Sequence, residues 1–91
     1  MLEQFMLPID IARQVADREK AKRKKRKMTQ AELSKRAGMS LGSLKRFEQT
    51  GEISFVSLLR IADVLDEMEN FQKLFTNKEY ASIQEVIDEG N

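Results

Sequence analysis

The chain has 91 residues, 41% hydrophobic and 34% charged, with 4 Gly and 1 Pro. That length allows one domain with a small core, burying only about 60–65% of its unfolded surface. The composition excludes collagen-like, low-complexity and mostly disordered classes. Cys and His are absent, which removes disulfides, thiolate or imidazole metal ligands and the commonest general base. No enzyme activity, metal or cofactor is therefore expected. The net charge of +1 conceals an asymmetry: residues 1–50 hold 13 Lys and Arg against 6 Asp and Glu, residues 51–91 hold 3 against 9. One half suits a polyanion and the other does not.

Residues 1–8 read as an N-terminal arm, with Pro8 near the first turn of the helix that follows. No apolar run is long enough to span a membrane. The start has neither a basic n-region nor a continuous h-region, so it does not read as a signal peptide, and a cytoplasmic location is expected. From Ile9 the pattern is helical: Ile11 and Val15, with Ala12 and Ala16 beside them, set a face that continues through Arg18 and Lys22. The run Arg18–Lys27 carries eight basic residues in ten. It is either a solvated face whose long stems cover part of the core or a phosphate-tracking surface, with Lys24, Lys25 and Lys27 as its candidate contacts.

Thr29 and Glu32 form a capping box that opens a short second helix, and Gly38 ends it about two turns later. Ser40 caps a third helix from Leu41 to about Gln49, which Thr50-Gly51 breaks. Ser54 caps a fourth, to about Glu67, with Phe55, Leu58, Leu59, Ala62 and Leu65 as a wide apolar stripe. Phe71, Leu74 and Phe75 make a short fifth amphipathic piece, and Ile83, Val86 and Ile87 again sit at helical spacing. No stretch alternates like a strand, so the fold class is all-α.

Two short helices joined by a Gly-containing turn have the spacing of a helix-turn-helix unit. Leu33 and Ala37 are core positions of its first helix, and Met39, Leu44 and Phe47 of its second. Ser34 and Ala37 are small enough for the crossing. Leu41, Gly42, Ser43, Lys45 and Arg46 are left exposed, a short basic face suited to a major groove about 12 Å wide.

The stretch TQAELSKRAGMSLGSLKRFEQTGEIS resembles the phage-repressor/Cro-type (XRE-like) helix-turn-helix regulators, and the resemblance covers roughly residues 10–66. It implies a compact five-helix DNA-binding domain, here residues 9–68, that works as a homodimer on pseudo-palindromic double-stranded DNA. It further implies that Gln30 opens the second helix, contacts phosphate and braces the recognition helix. Leu41, Gly42, Ser43 and Arg46 then read bases, and Arg23 pairs with Glu48 as a structural salt bridge. The candidate DNA contacts are thus Thr29, Gln30, Ser40, Leu41, Gly42, Ser43, Lys45, Arg46 and Gln49, with Lys24, Lys25 and Lys27 from the first helix. Four positions depart from the family pattern. Leu41-Gly42 replaces the Gln or Arg often found there, which shifts base reading toward Ser43, Lys45 and Arg46. Ser34 replaces Ala and is expected to bond back to the carbonyl four residues earlier. Glu19 stands where an apolar residue is common.

The acidic C-terminal extension, residues 69–91, is expected to face protein. Phe71, Leu74 and Phe75 either complete the monomer core or bury across a two-fold axis, and Ile83, Val86 and Ile87 join them as dimerisation candidates. With GSLKRFEQTGEIS, this C-terminal pattern is similar to antitoxins of the high-persistence type, which implies a kinase-like toxin as a partner. The leading expectation is a transcriptional repressor, with autoregulation as such an antitoxin its extended form. The alternative is a protein-interaction module that keeps the fold and reads no sequence.

Overall fold

Pro8 occupies the first position of helix α1 (Pro8–Lys25), where its missing N–H removes no intrahelical bond. The Leu7 N–H is taken by Asp10 Oδ2 at 2.9 Å. The structure, a computed structural model, describes residues 6–78. Four further helices follow: α2 (Gln30–Ala37), α3 (Leu41–Thr50), α4 (Phe55–Val64) and α5 (Met68–Gln72). No strand occurs among the described residues, and the fold is all-α.

Side-chain caps define three of the helix starts. Thr29 Oγ1 accepts from Glu32 N at 3.0 Å while Glu32 Oε1 accepts from Thr29 N at 3.0 Å. Ser40 and Ser54 accept from the third helical N–H of α3 and α4, each at 3.1 Å. Such caps are worth about 1 kcal/mol each. Gly38 closes α2 in the left-handed region at φ 67, and its N–H and that of Met39 return to Lys35 and Ser34 carbonyls. Met39 lies in this turn, two residues before α3, yet it still packs on the core.

The core is small. Phe47, Leu33, Leu44 and Ile61 are the largest fully buried side chains, joined by Ala16, Ala37, Ala62 and Leu65. Each large one contributes about 1.5–3 kcal/mol through burial. Helix α1 lies against α3, α2 against α3 and α4, and α5 against α4. Gly51, at φ 83, joins α3 to α1: a Cβ there would sit 2.9 Å from backbone atoms of Ala12 and Arg13. Only glycine satisfies both the dihedral and the close approach.

Several sequence expectations are corrected. The buried face of α1 is Ala16, Glu19 and Arg23, not a continuation through Arg18 and Lys22, and Ile11 is exposed. Helix α4 ends at Val64 instead of near Glu67 because Asp66 takes a left-handed conformation (φ 58) and Glu67 N returns to Ala62 O at 2.7 Å. Ile61 replaces Phe55 in the stripe; Phe55 is 55% exposed and meets Phe71 with ring centroids 6.3 Å apart. Leu74 and Phe75 fall beyond α5, and Phe75 is fully exposed. Ser34 bonds back to Ala31, three residues earlier, at 3.0 Å.

Candidate nucleic-acid interface

Helix α3 divides cleanly between its two sides. Leu44, Phe47 and Glu48 are buried, while Leu41, Gly42, Ser43, Lys45, Arg46 and Gln49 are exposed. At its N-terminus the Ser40 hydroxyl also donates to Ser43 Oγ at 2.7 Å, which leaves the Ser43 proton available. Space beside Gly42 is open: no heavy atom lies within 4 Å of where a Cβ would stand. Gly42 is thus not required by packing.

The inner side is anchored by a buried polar cluster. Arg23 of α1 forks onto Glu48 through Nε to Oε2 and Nη2 to Oε1, each at 2.9 Å, and donates Nη1 to the Met28 carbonyl at 2.9 Å. Gln30 of α2 donates to the same Glu48 Oε1 at 3.0 Å. One carboxylate of α3 therefore ties three helices together. Bidentate geometry and these added bonds offset the desolvation of a buried pair. The hydrogen bond with Glu48 raises the Arg23 pKa. Burial pushes Glu48 up, but the bonds from Arg23 and Gln30 outweigh it and hold Glu48 below the usual carboxylate range.

Glu19 completes the cluster. It is buried, its nearest approach to Arg23 is 4.0 Å, and neither carboxyl oxygen has a hydrogen-bond partner. Burial first, then the neighbouring Glu48 carboxylate, raises its pKa to about 8. Protonation of Glu19 removes a second negative charge from beside the buried Glu48 carboxylate. The signal for this lies in the sequence: Glu19 and Arg23 continue Ala12 and Ala16 at helical spacing.

The remaining predicted residues fall into four groups. Thr29 spends its hydroxyl acceptor on the α2 cap, and its N–H bond to Glu32 holds the Glu32 carboxyl low. Lys24, Lys25 and Lys27 are exposed at and just beyond the C-terminus of α1, where cations also favour the helix dipole. Elsewhere in the basic run, Lys22 pairs with Glu67 and Arg26 with Asp66. Part of the charge asymmetry is thus consumed internally. Phe71 is half-buried and Leu74 exposed where they line a groove of about 530 Å³ between α1, α4 and α5, and Phe75 is exposed. Ile83, Val86 and Ile87 lie outside the described residues.

Sequence reasoning missed Glu52. Both Nε and Nη2 of Arg46 donate to Glu52 Oε2, at 3.1 and 2.7 Å. The pair is six residues apart across a helix end, a separation that no helical periodicity marks. Among the described residues, no cluster of His, Cys, Asp or Glu fits a metal ion, and no helix is long and apolar enough to cross a membrane.

Known proteins share this geometry at the level of a family. No curated protein matches the chain. A helix-turn-helix family matches residues 20–67, which runs from the second half of α1 through the recognition helix to the residue before α5 and covers just over half of the chain. The chain belongs to the XRE-type helix-turn-helix family, whose members are DNA-binding regulators.

Proposed function

We propose that this regulator is a sequence-specific repressor that binds a pseudo-palindromic operator as a homodimer in the cytoplasm. The observation that carries the reading is the division of α3, whose outer side is exposed while its inner side is locked by Arg23, Gln30 and Glu48. In this reading Leu41, Gly42, Ser43 and Arg46 face base edges. Lys45, Gln49, Ser40, Thr29 and Gln30 touch backbone near the groove, and Lys24, Lys25 and Lys27 reach further phosphates. Residues 9–68 are the DNA-binding unit and residues 69–91 the dimerisation or docking extension. Leu74 and Phe75, exposed beside Phe71, support an isologous interface there.

An acidic C-terminal part further supports autoregulation as the antitoxin of a kinase-like toxin. A neighbouring reading frame encoding such a kinase supports that extension, and its absence removes it. The alternative, an interaction module that reads no sequence, draws on the pairing of Arg46 with Glu52. Competition separates the two, because specific sites bind typically 10³-fold or more tighter than bulk DNA. Binding to the gene's own upstream duplex should survive a thousandfold excess of random DNA. Sedimentation at micromolar concentration should give a dimer, and equal competition by random DNA would overturn the reading.

A further inference from the structure

The segment Arg46–Glu52 is built around one side chain. Thr50 Oγ1 donates to the Arg46 carbonyl at 2.8 Å and accepts from Glu52 N at 3.1 Å. Gly51 N returns to Phe47 O at 2.7 Å, and the Gly51 backbone is pressed against Ala12 and Arg13 of α1. Ser54, two residues after Glu52, caps α4. Glu52 is therefore a carboxylate on a turn fixed from both ends, and it is the group that receives the Arg46 guanidinium.

The stereochemistry of that pairing matters more than its energy, since an exposed ion pair adds little stability. Glu52 takes the side edge of the guanidinium, Nε with Nη2, through one oxygen. A guanidinium has five N–H donors in a rigid fork. The end edge, Nη1 with the other Nη2 hydrogen, keeps two parallel donors, the pair that matches O6 and N7 of guanine. Arg46 and Glu52 share with Ser43, Ile53, Ser54 and Ser57 a notch of about 290 Å³. Holding the side edge orders a flexible side chain before DNA arrives, and the carboxylate simultaneously repels phosphate.

We infer that Glu52 is a positioning residue for Arg46, one that raises base discrimination at the expense of general DNA affinity. The inference rests on the proposed reading in which Arg46 touches a base. Its test is a double-mutant cycle of the parent, Arg46→Ala, Glu52→Gln and the double variant. Each is titrated with the duplex selected by the parent, with that duplex changed at single base pairs, and with random DNA. Glu52→Gln should tighten binding to random DNA and lower discrimination at the Arg46-dependent base pair about 2- to 10-fold, the equivalent of one side chain's ordering cost. In the Arg46→Ala background it should leave discrimination unchanged. In the free protein, NMR relaxation of the Arg46 Nε–H should report greater motion in Glu52→Gln, with the unfolding midpoint little altered. Uniformly tighter binding with intact discrimination, or sharper discrimination, would overturn the inference while leaving the reading of Arg46 in place. An Arg46→Ala variant with unchanged base preference would overturn both.

Discussion

Replacing Glu19 with Gln isolates the buried proton of the polar cluster. In the folded chain Glu19 holds its proton to about pH 8, against 4.5 for an ordinary glutamate. Between these values the native state binds more protons than the unfolded chain, so stability falls as pH rises through the window. One pH unit is worth about 1.4 kcal/mol, which sets a ceiling of about 5 kcal/mol across the window. Relaxation and water penetration around a newly charged buried group lower that ceiling, and about 2–3 kcal/mol is the expected change. The charged neighbours are Arg23 and Lys20 on α1 and Glu48 on α3, with Lys22 and Glu67 on the groove side. Glu48 acts with the opposite sign and in a different range: its lowered pKa contributes stability that is lost only as pH falls below about 4.5. The interval from pH 5 to 8 therefore belongs to Glu19. The amide of Glu19→Gln keeps the shape and an N–H donor for Glu48 but cannot ionise. Urea unfolding followed by far-UV circular dichroism at four pH values should show the parent losing stability toward pH 8 and the variant nearly flat. The two should agree within about 0.5 kcal/mol at pH 5. Parallel curves would refute the assignment of the proton to Glu19.

Gly51→Ala must place a Cβ 2.9 Å from α1 backbone at positive φ; thermal unfolding should show a drop in stability of more than about 2 kcal/mol. Gly42→Ala meets open space inside α3, so it should stabilise the protein by about 0.5–1 kcal/mol. In the proposed complex the same methyl obstructs close approach to DNA, so calorimetry and DNA titration should move in opposite directions. Changing Lys24, Lys25 and Lys27 together to Gln should weaken binding to all duplexes alike and reduce the salt slope by about 0.9 for each phosphate no longer neutralised. Selective weakening of one site at constant slope would contradict the electrostatic role.

Much of this fold is legible in the sequence because its punctuation is local. Thr29 with Glu32, Ser40 and Ser54 announce three helix starts, and Gly38 and Gly51 two ends, each through a bond or dihedral spanning a few residues. Leu33, Leu44 and Phe47 follow from helical spacing. What escapes depends on the third dimension. Asp66 takes a left-handed conformation without being Gly, so the end of α4 carries no marker. Phe55 looks like core by composition, but it lies at the first turn of α4, where Phe71 meets its ring. Glu19 follows Ala12 and Ala16 at helical spacing, which marks its burial, but it sits inside a basic run, and the group that explains why an acid is buried there, Glu48, arrives from α3. Arg46 stands out by its place on the recognition helix, whereas Glu52 is joined to it through the turn after that helix.

The central claim is that the exposed side of α3 reads sequence. Selection from randomised duplexes at one fixed salt concentration tests it, with the parent, Arg46→Ala and Lys45→Ala run side by side. The parent should enrich a two-fold symmetric motif. Arg46→Ala should lose preference at one base pair per half-site, a cost of about 1–3 kcal/mol on the selected duplex. Lys45, a point charge on a flexible stem, should on removal weaken all sequences to a similar degree. A parent that enriches no motif, or an Arg46→Ala variant that enriches the parent's motif unchanged, would contradict base reading by α3.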